Sequence, residues 1–319
     1  MPGLPAAVEL NREQLILGQV LRGIALNREP GFHFPGNFLE ISFERVTPAE
    51  TRLTLEPGPH CVDADGQTNI GALALLADLA LAASIRAGLE RATRLATVSM
   101  SLQFTGTPGK GSLDAASAFE GFFSGGAARQ GLSRVAISSG SRQICFGSGA
   151  FMALDPPQGV TLHPVPQRRR GERASAVAEA DLTRAEREIL RRAETALATP
   201  DAESDSFIRR FWGYRSRSVR GGASAVMKNG LHIGNRVGHA QGGIMLGLAA
   251  STAGASLPQH WALSGISAWY VSPGEGATLK ARSKIIHHGR VTVVIRTEVT
   301  SGEGRRVLEA VTTHSRCAA

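Results

Sequence analysis

The feature that most constrains this chain is an internal repeat. Residues 60–154 open with a Gly/Asp/Asn-rich loop, Asp63 to Asn69, and run into a small-residue apolar helix over about 70–87. Four segments that read as strands follow: Leu95–Thr105, Ser112–Phe123, Leu132–Ser138 and Gln143–Leu154. Residues 232–316 repeat that order, with a loop from Gly234 to Gly243, an apolar helix to about 254, and strands near Trp261–Val271, Ala277–His287, Val291–Val299 and Arg306–His314. Pro273-Gly274, His288-Gly289 and Gly302-Glu303-Gly304 mark the turns. Val291, Val293 and Ile295 alternate with polar residues, the period of a half-buried strand. A helix followed by a meander of strands is an α+β pattern, not an alternating βαβ one. Neither the helix nor the sheet buries its apolar side alone, so each helix is expected to lie across the concave face of its own sheet.

The remaining segments frame the copies. The expected layout is a helical or loop extension over 1–36, repeat 1 over 37–155, a linker with one helix over 156–205, and repeat 2 over 206–319. Phe38–Val46 and Thr51–Leu55 read as strands, and Asp155 to Pro166 as a Pro-rich linker. A helix over Leu182–Leu197 is announced by a Thr183/Glu186 capping box and a thin stripe of Leu182, Ile189 and Leu197. Asp201 to Asp205 reads as loop.

Composition excludes several classes. At 319 residues the chain is long enough for two domains. Cys61, Cys145 and Cys317 are far apart and form no CxxC pair, which argues against a disulfide framework and a structural zinc site. A soluble, reducing, cytoplasmic setting is expected, with no metal and no cofactor. The greasiest run, Gly71–Ser84, is broken by Asp78 and falls short of the roughly 20 residues of a bilayer span, so no membrane partner is expected. No basic region followed by an apolar one opens the chain, so no secretory leader is expected. The formal charge of +8 invites a nucleic-acid reading, but aromatics are 5% and none alternates with basic residues as a stacking platform requires. Arg168, Arg169, Arg170 and Arg173 read as a solvated linker. A positive field also suits a small phosphate-bearing ligand.

Asp78 stands out. Every neighbour within the run Gly71–Ser84 is Ala, Leu, Gly or Ser, and no other charge lies between Asp65 and Arg86. A carboxylate buried there costs several kcal/mol or raises its own pKa. Helical spacing puts it on a small-residue stripe of Gly71, Ala74, Asp78 and Ala82, opposite Leu73, Leu76 and Leu79. Such a stripe admits a substrate or a second helix.

These residues resemble the hotdog acyl-CoA thioesterases, particularly the phenylacetate-type branch. That pattern is an Asn, a His-Gly-Gly opening the helix, an Asp within the helix, and a Ser or Thr opening a strand that ends in an aromatic residue and Pro. The second copy reads Asn235, then Gln241-Gly242-Gly243 six residues on, with Gln241 in place of His and Ala250 at the Asp position. The first copy reads Asp63, then Asn69-Ile70-Gly71, with Asp78 nine residues beyond Asn69. Counting back seven from Phe104 reaches Thr97, whereas the same count from Tyr270 reaches Leu263. One residue is inserted before Pro108, and Ile70 stands where the pattern has Gly.

The resemblance implies a double hotdog: two antiparallel sheets side by side, each wrapped around a central helix. Single-domain members build their site between two subunits, so here Asp78 and Thr97 of copy one would meet Asn235, Gln241 and Gly242 of copy two. The reciprocal set, Asp63, Asn69 and Ile70 with Ala250 and Leu263, lacks an acid and a hydroxyl and would be dead. The Gly242 amide, at a helix N-terminus, would hold the developing oxyanion. Asp78 would act as general base or as nucleophile, and both remain open. Thr97 would orient water or the carboxylate, Asn235 and Gln241 would fix the loop or the leaving side, and Gly243 would contact substrate. Coenzyme A enters as part of an acyl-CoA substrate, and further association into a homo-oligomer is a general expectation for such pairs. Two other readings compete. One is a hotdog enoyl-thioester hydratase, faintly echoed by Asn235-Arg-Val-Gly-His239. The other is an acyl-CoA-binding module without catalysis.

Overall fold

The computed structural model describes residues 10–89, 93–126, 128–156, 158–159, 161–166, 168, 174–199 and 206–317. The Asp201–Asp205 segment, Arg169, Arg170 and Arg173 lie outside the described residues.

Each half of the chain follows one plan. A short helix, α2 (Phe34–Phe38), precedes β1 (Ser42–Val46) and β2 (Thr51–Leu55); the long helix α3 (Ile70–Ala87) and strands β3 (Arg94–Phe104), β4 (Leu113–Phe122), β5 (Gln130–Ser139) and β6 (Arg142–Leu154) follow. The second half repeats it as α5 (Phe207–Trp212), β7 (Arg217–Val219), β8 (Gly222–Lys228), α6 (Gly242–Gly254), β9 (Trp261–Tyr270), β10 (Thr278–His288), β11 (Thr292–Ser301) and β12 (Arg306–Arg316). The loop before each long helix is closed alike, by a bridge between Val62 and Thr68 in one and Gly234 and Ala240 in the other.

The likeness of the copies therefore reaches back beyond the self-similar stretches 60–154 and 232–316, to α2 and α5. Phe38 closes a helix instead of opening a strand, because Pro35 at its start and the His33 cap favour a helical turn. Hairpin β7–β8 turns at Gly221, whose positive φ suits glycine; it carries too few large residues to stand out as a strand pair.

Every neighbouring pair of strands is antiparallel, and the order is β1-β2-β4-β5-β6-β3-β9-β12-β11-β10-β8-β7. The two sheets expected side by side are thus fused into one of twelve strands. The join is β3 against β9, from Ser99 opposite Trp269 to Gln103 opposite Gly265. An unpaired edge leaves backbone groups needing partners, and each copy satisfies the other's edge.

The two long helices meet on the concave side. A Cβ built on Gly243 would lie 2.5 Å from the Leu75 Cα, and one on Gly247 would lie 2.5 Å from the Gly71 Cα. The small-residue stripe of α3 therefore admits a second helix. Helix α3 has the length and composition of a membrane span, yet it is mostly buried here between the sheet and α6. That position explains why it is apolar all round.

Helix α1 (Arg12–Asn27), started by an Asn11/Gln14 capping box, packs on α2 and on α4 (Arg184–Ala198). Arg28 holds both carboxylate oxygens of Glu186, at 2.8 and 2.9 Å, tying the end of α1 to the start of α4. Arg168 is not simply solvated: its guanidinium bonds Asn37 at 2.8 Å and Glu29 at 3.0 Å.

Candidate active site

Asp78 sits on α3 where the helix faces the N-terminus of α6, and it is only 4% exposed. That figure excludes a side chain pointing to solvent. Thr97 donates its hydroxyl to Asp78 Oδ1 at 3.1 Å. Gln241 Nε2 donates to Asp78 Oδ2. The orientation of the Gln241 amide is self-consistent, because its Oε1 caps α6 by accepting from the Ile244 N–H at 3.1 Å, which leaves the NH2 end for Asp78. Burial is the largest influence on Asp78 and pushes its pKa up to about 6. The bonds from Gln241 and Thr97, the Gly243 amide and the charge of Arg86 act in the opposite direction. The result is a carboxylate poised near neutrality, as a general base requires.

Gly242 is the first residue of α6, so its N–H has no partner within the helix, and no other acceptor takes it among the described residues. A Cβ at this position would lie 2.9 Å from Thr97 Oγ1 and 3.2 Å from Asp78 Oδ1. Only glycine leaves a gap between the helix terminus and the acid. Tyr270, at the end of β9, donates to the Gly242 carbonyl at 2.9 Å and steadies this first turn. Thr97 owes its position to β3, whose register against β6 slips between Thr97 and Ser99. A bulge of this kind re-aims the side chain beside it.

All five residues expected to be catalytic, Asp78, Thr97, Asn235, Gln241 and Gly242, line one cavity of about 420 Å³. Asn235 acts on the loop: its Oδ1 accepts from the Val237 and His239 amides at 3.0 and 3.1 Å. Gly243, expected at the substrate, does not line the cavity. It lies at the helix crossing, where backbone of α3 fills the space a side chain would need. Leu79, expected on the opposite face from Asp78, lines the cavity with it. Among the described residues, no group of three or more His, Cys, Asp and Glu side chains could hold a metal ion.

No family model matches the sequence, and no curated protein matches it. Solved structures do. A Lactobacillus plantarum protein described provisionally as an oleoyl thioesterase superposes with a TM-score of 0.55 at 10% identity, over 85% of this chain and 98% of that one. A conserved Alicyclobacillus acidocaldarius protein of unknown function with a hotdog fold gives 0.53 at 9% identity, over 88% and 96%. The 12:0-ACP thioesterase of Umbellularia californica gives 0.52 at 11%, over 84% and 94%. The chain is a double hotdog. At such identities the likeness is one of fold.

The two pseudo-equivalent sites of this double hotdog differ more than their motifs suggested. At the start of α3, Asn69 accepts from the Gly71 N–H at 2.9 Å and binds Asp63 at 2.8 Å. The Tyr214 hydroxyl donates to the same Asn69 oxygen at 3.1 Å. Trp212 and Tyr214 are fully buried there, and a Cβ on Gly71 would lie 2.1 Å from the Tyr214 hydroxyl and 2.8 Å from the Trp212 ring. Two aromatic side chains, one closing α5 and one just beyond it, thus fill the space beside Gly71. Sequence reasoning found the missing acid and hydroxyl at Ala250 and Leu263, but not this plug. It also missed Tyr270 as more than a landmark, and the basic groups of the cavity around Asp78: His33, Arg86, Arg94, Arg236 and His239. The i, i+4, i+8 spacing of Asp78, Ala82 and Arg86 was an available signal for one of them.

Proposed function

We propose that this double hotdog is a cytoplasmic thioester hydrolase acting on acyl-CoA at one composite site between its halves. The observation that carries this reading is the meeting of a buried, hydroxyl-bonded acid with an unpartnered helix-terminal amide across the seam of the two copies. Asp78 takes a proton from water, and the oxygen of that water attacks the thioester carbonyl. The carbonyl becomes an oxyanion, held by the Gly242 N–H and the positive end of α6. The intermediate then collapses, the C–S bond breaks, and the proton on Asp78 passes to the departing sulfur. Thr97 and Gln241 hold the carboxylate in place throughout. Oleoyl and 12:0-ACP substrates belong by name to two of the similar structures, and a thioester is the chemistry they share with this proposal. The buried free thiols Cys61 and Cys145 suit a reducing compartment.

Thiol release from a panel of acyl-CoAs, by wild type and by Asp78→Asn, tests the proposal. Wild type should release thiol, and kcat/KM should rise with pH through about 6 as Asp78 ionises. The substitution should remove at least ~100-fold of the rate. No thiol release by wild type would overturn the reading in favour of a binding module or a hydratase. Release unchanged in the variant would take Asp78 out of the mechanism.

A further inference from the structure

Beyond Asp78 the same cavity holds a group that the hydrolytic chemistry does not use. Arg86 lies two helical turns from Asp78 along α3, about 12 Å at 1.5 Å per residue. Both residues line the cavity, with Ala82 between them. The charges of Arg86 and Asp78 act on each other across this span. The Arg86 Nε is buried and has no hydrogen-bond partner among the described residues. Burial, reinforced by the charge of Arg236 and opposed by that of Asp78, lowers the pKa of Arg86 to about 10.

Arg236 enters the lining from the loop before α6, and its guanidinium donates to the His163 carbonyl. Neither arginine forms an ion pair among the described residues. His33, which also lines the cavity, accepts the Gly36 N–H on Nδ1 at 3.2 Å, so the proton of the neutral ring sits on Nε2. Burial and the charges of Arg236 and Arg86 keep that ring neutral, holding its pKa near 3. The guanidiniums of Arg86, Arg94 and Arg236 and the His33 imidazole N–H thus line one cavity in which, among the described residues, Asp78 is the one carboxylate. Unpaired buried charge is costly, and a bidentate partner for arginine is a carboxylate or a phosphate.

We propose that Arg86, with Arg236 and His33 beside it, is a carboxylate-binding subsite at the acyl end of the cavity. The substrate is then the thioester of a dicarboxylic acid: its free carboxylate meets Arg86 while its thioester carbonyl lies between Asp78 and the Gly242 amide. This rests on the hydrolytic reading above. The apolar lining by Leu79, Ala82, Phe43 and Phe151 suits the methylene chain between the two ends. A carboxylate carried on such a chain enters with it and offers the guanidinium a bidentate partner.

The test uses N-acetylcysteamine thioesters, which carry no phosphate. Succinyl, glutaryl, adipyl and suberyl esters are compared with straight-chain monoacid esters of equal carbon number, for wild type, Arg86→Gln and Arg86→Lys. Wild type should favour one dicarboxylic ester over its monoacid counterpart by at least ~10-fold in kcat/KM. Arg86→Gln should bring that ratio to about one or below, and Arg86→Lys should restore part of it. A wild-type preference for the monoacids, or a ratio unchanged in Arg86→Gln, overturns the proposal. So does an Arg86→Gln defect seen with both kinds of CoA ester and with neither cysteamine ester, because Arg86 would then read the carrier's phosphates. If no thioester is hydrolysed, the hydrolytic reading fails separately. Calorimetric binding of free adipate, against hexanoate, still decides the subsite: wild type should bind adipate and Arg86→Gln should not. Equal binding by the two proteins, or none by wild type, overturns it.

Discussion

An Asp78→Asn substitution is expected to make the protein more stable while removing its activity. Asp78 has an ordinary pKa of 3.8 and is raised to about 6 in the fold, chiefly by burial. The native state therefore holds this proton more tightly than the unfolded chain does, and the ionised acid is the form that opposes folding. At 1.36 kcal/mol per pH unit the difference amounts to about 3 kcal/mol. The sign follows from the direction of the change. As pH rises from ~4 to ~6 the unfolded chain gives up its proton first, so wild type loses stability over that window and levels off above it. Asn mimics the protonated acid. Its Oδ1 can accept from Gln241 and its Nδ2 can donate to the Thr97 oxygen once that hydroxyl turns, so the site stays satisfied. Urea unfolding of both proteins between pH ~4 and ~8 should show them similar at the acid end, with the variant ahead by about 3 kcal/mol at the alkaline end. A difference that is constant with pH, or one that grows towards acid, would refute the claim that the fold bears a cost for holding this carboxylate ionised.

Gly242→Ala should lower kcat/KM by ~100-fold or more, as measured by thiol release, because its Cβ lies against Thr97 and Asp78. Gly243→Ala should instead cost about 1–3 kcal/mol of stability, since its Cβ meets backbone of α3; thermal or urea unfolding reads this directly. Trp212→Ala should cost about 3–5 kcal/mol by emptying the plugged reciprocal site, and it should produce no second active site, because Ala250 and Leu263 supply neither acid nor hydroxyl.

Much of this protein was legible in residue patterns because the patterns report local physics. The helix expected over 70–87 is α3 to the residue, and the eight strands of the two meanders fall within a few residues of their expected ends. Asn69 caps its helix as residues of its type do, and Gln241 caps α6 although glutamine is not a usual N-cap. Hairpin β7–β8 escaped for lack of large side chains, and α1 was foreseen only as a helical or loop extension although Ile16, Val20 and Ile24 recur at helical spacing behind an Asn11/Gln14 capping box. The place of Gly243 was not legible for a different reason: a Gly-Gly pair at a helix start serves a ligand and a helix crossing equally well. Only the partner helix decides which glycine does which.

The sequence by itself determined that the fold is duplicated, that one apolar helix carries a lone acid, and that acid and helix-terminal amide lie in different copies. These follow from periodicity, spacing and residue type, each a property of a short stretch of chain. The tertiary structure alone decided how the copies join, what fills the space beside Gly71, and which basic groups share the cavity with Asp78. Those outcomes depend on β3 meeting β9, on α3 crossing α6 at their glycines, and on residues as distant in sequence as His33, Arg86 and Arg236 being brought within reach of one another's charge. Coulomb and packing forces act through space, and a pattern read along the chain carries no record of that proximity.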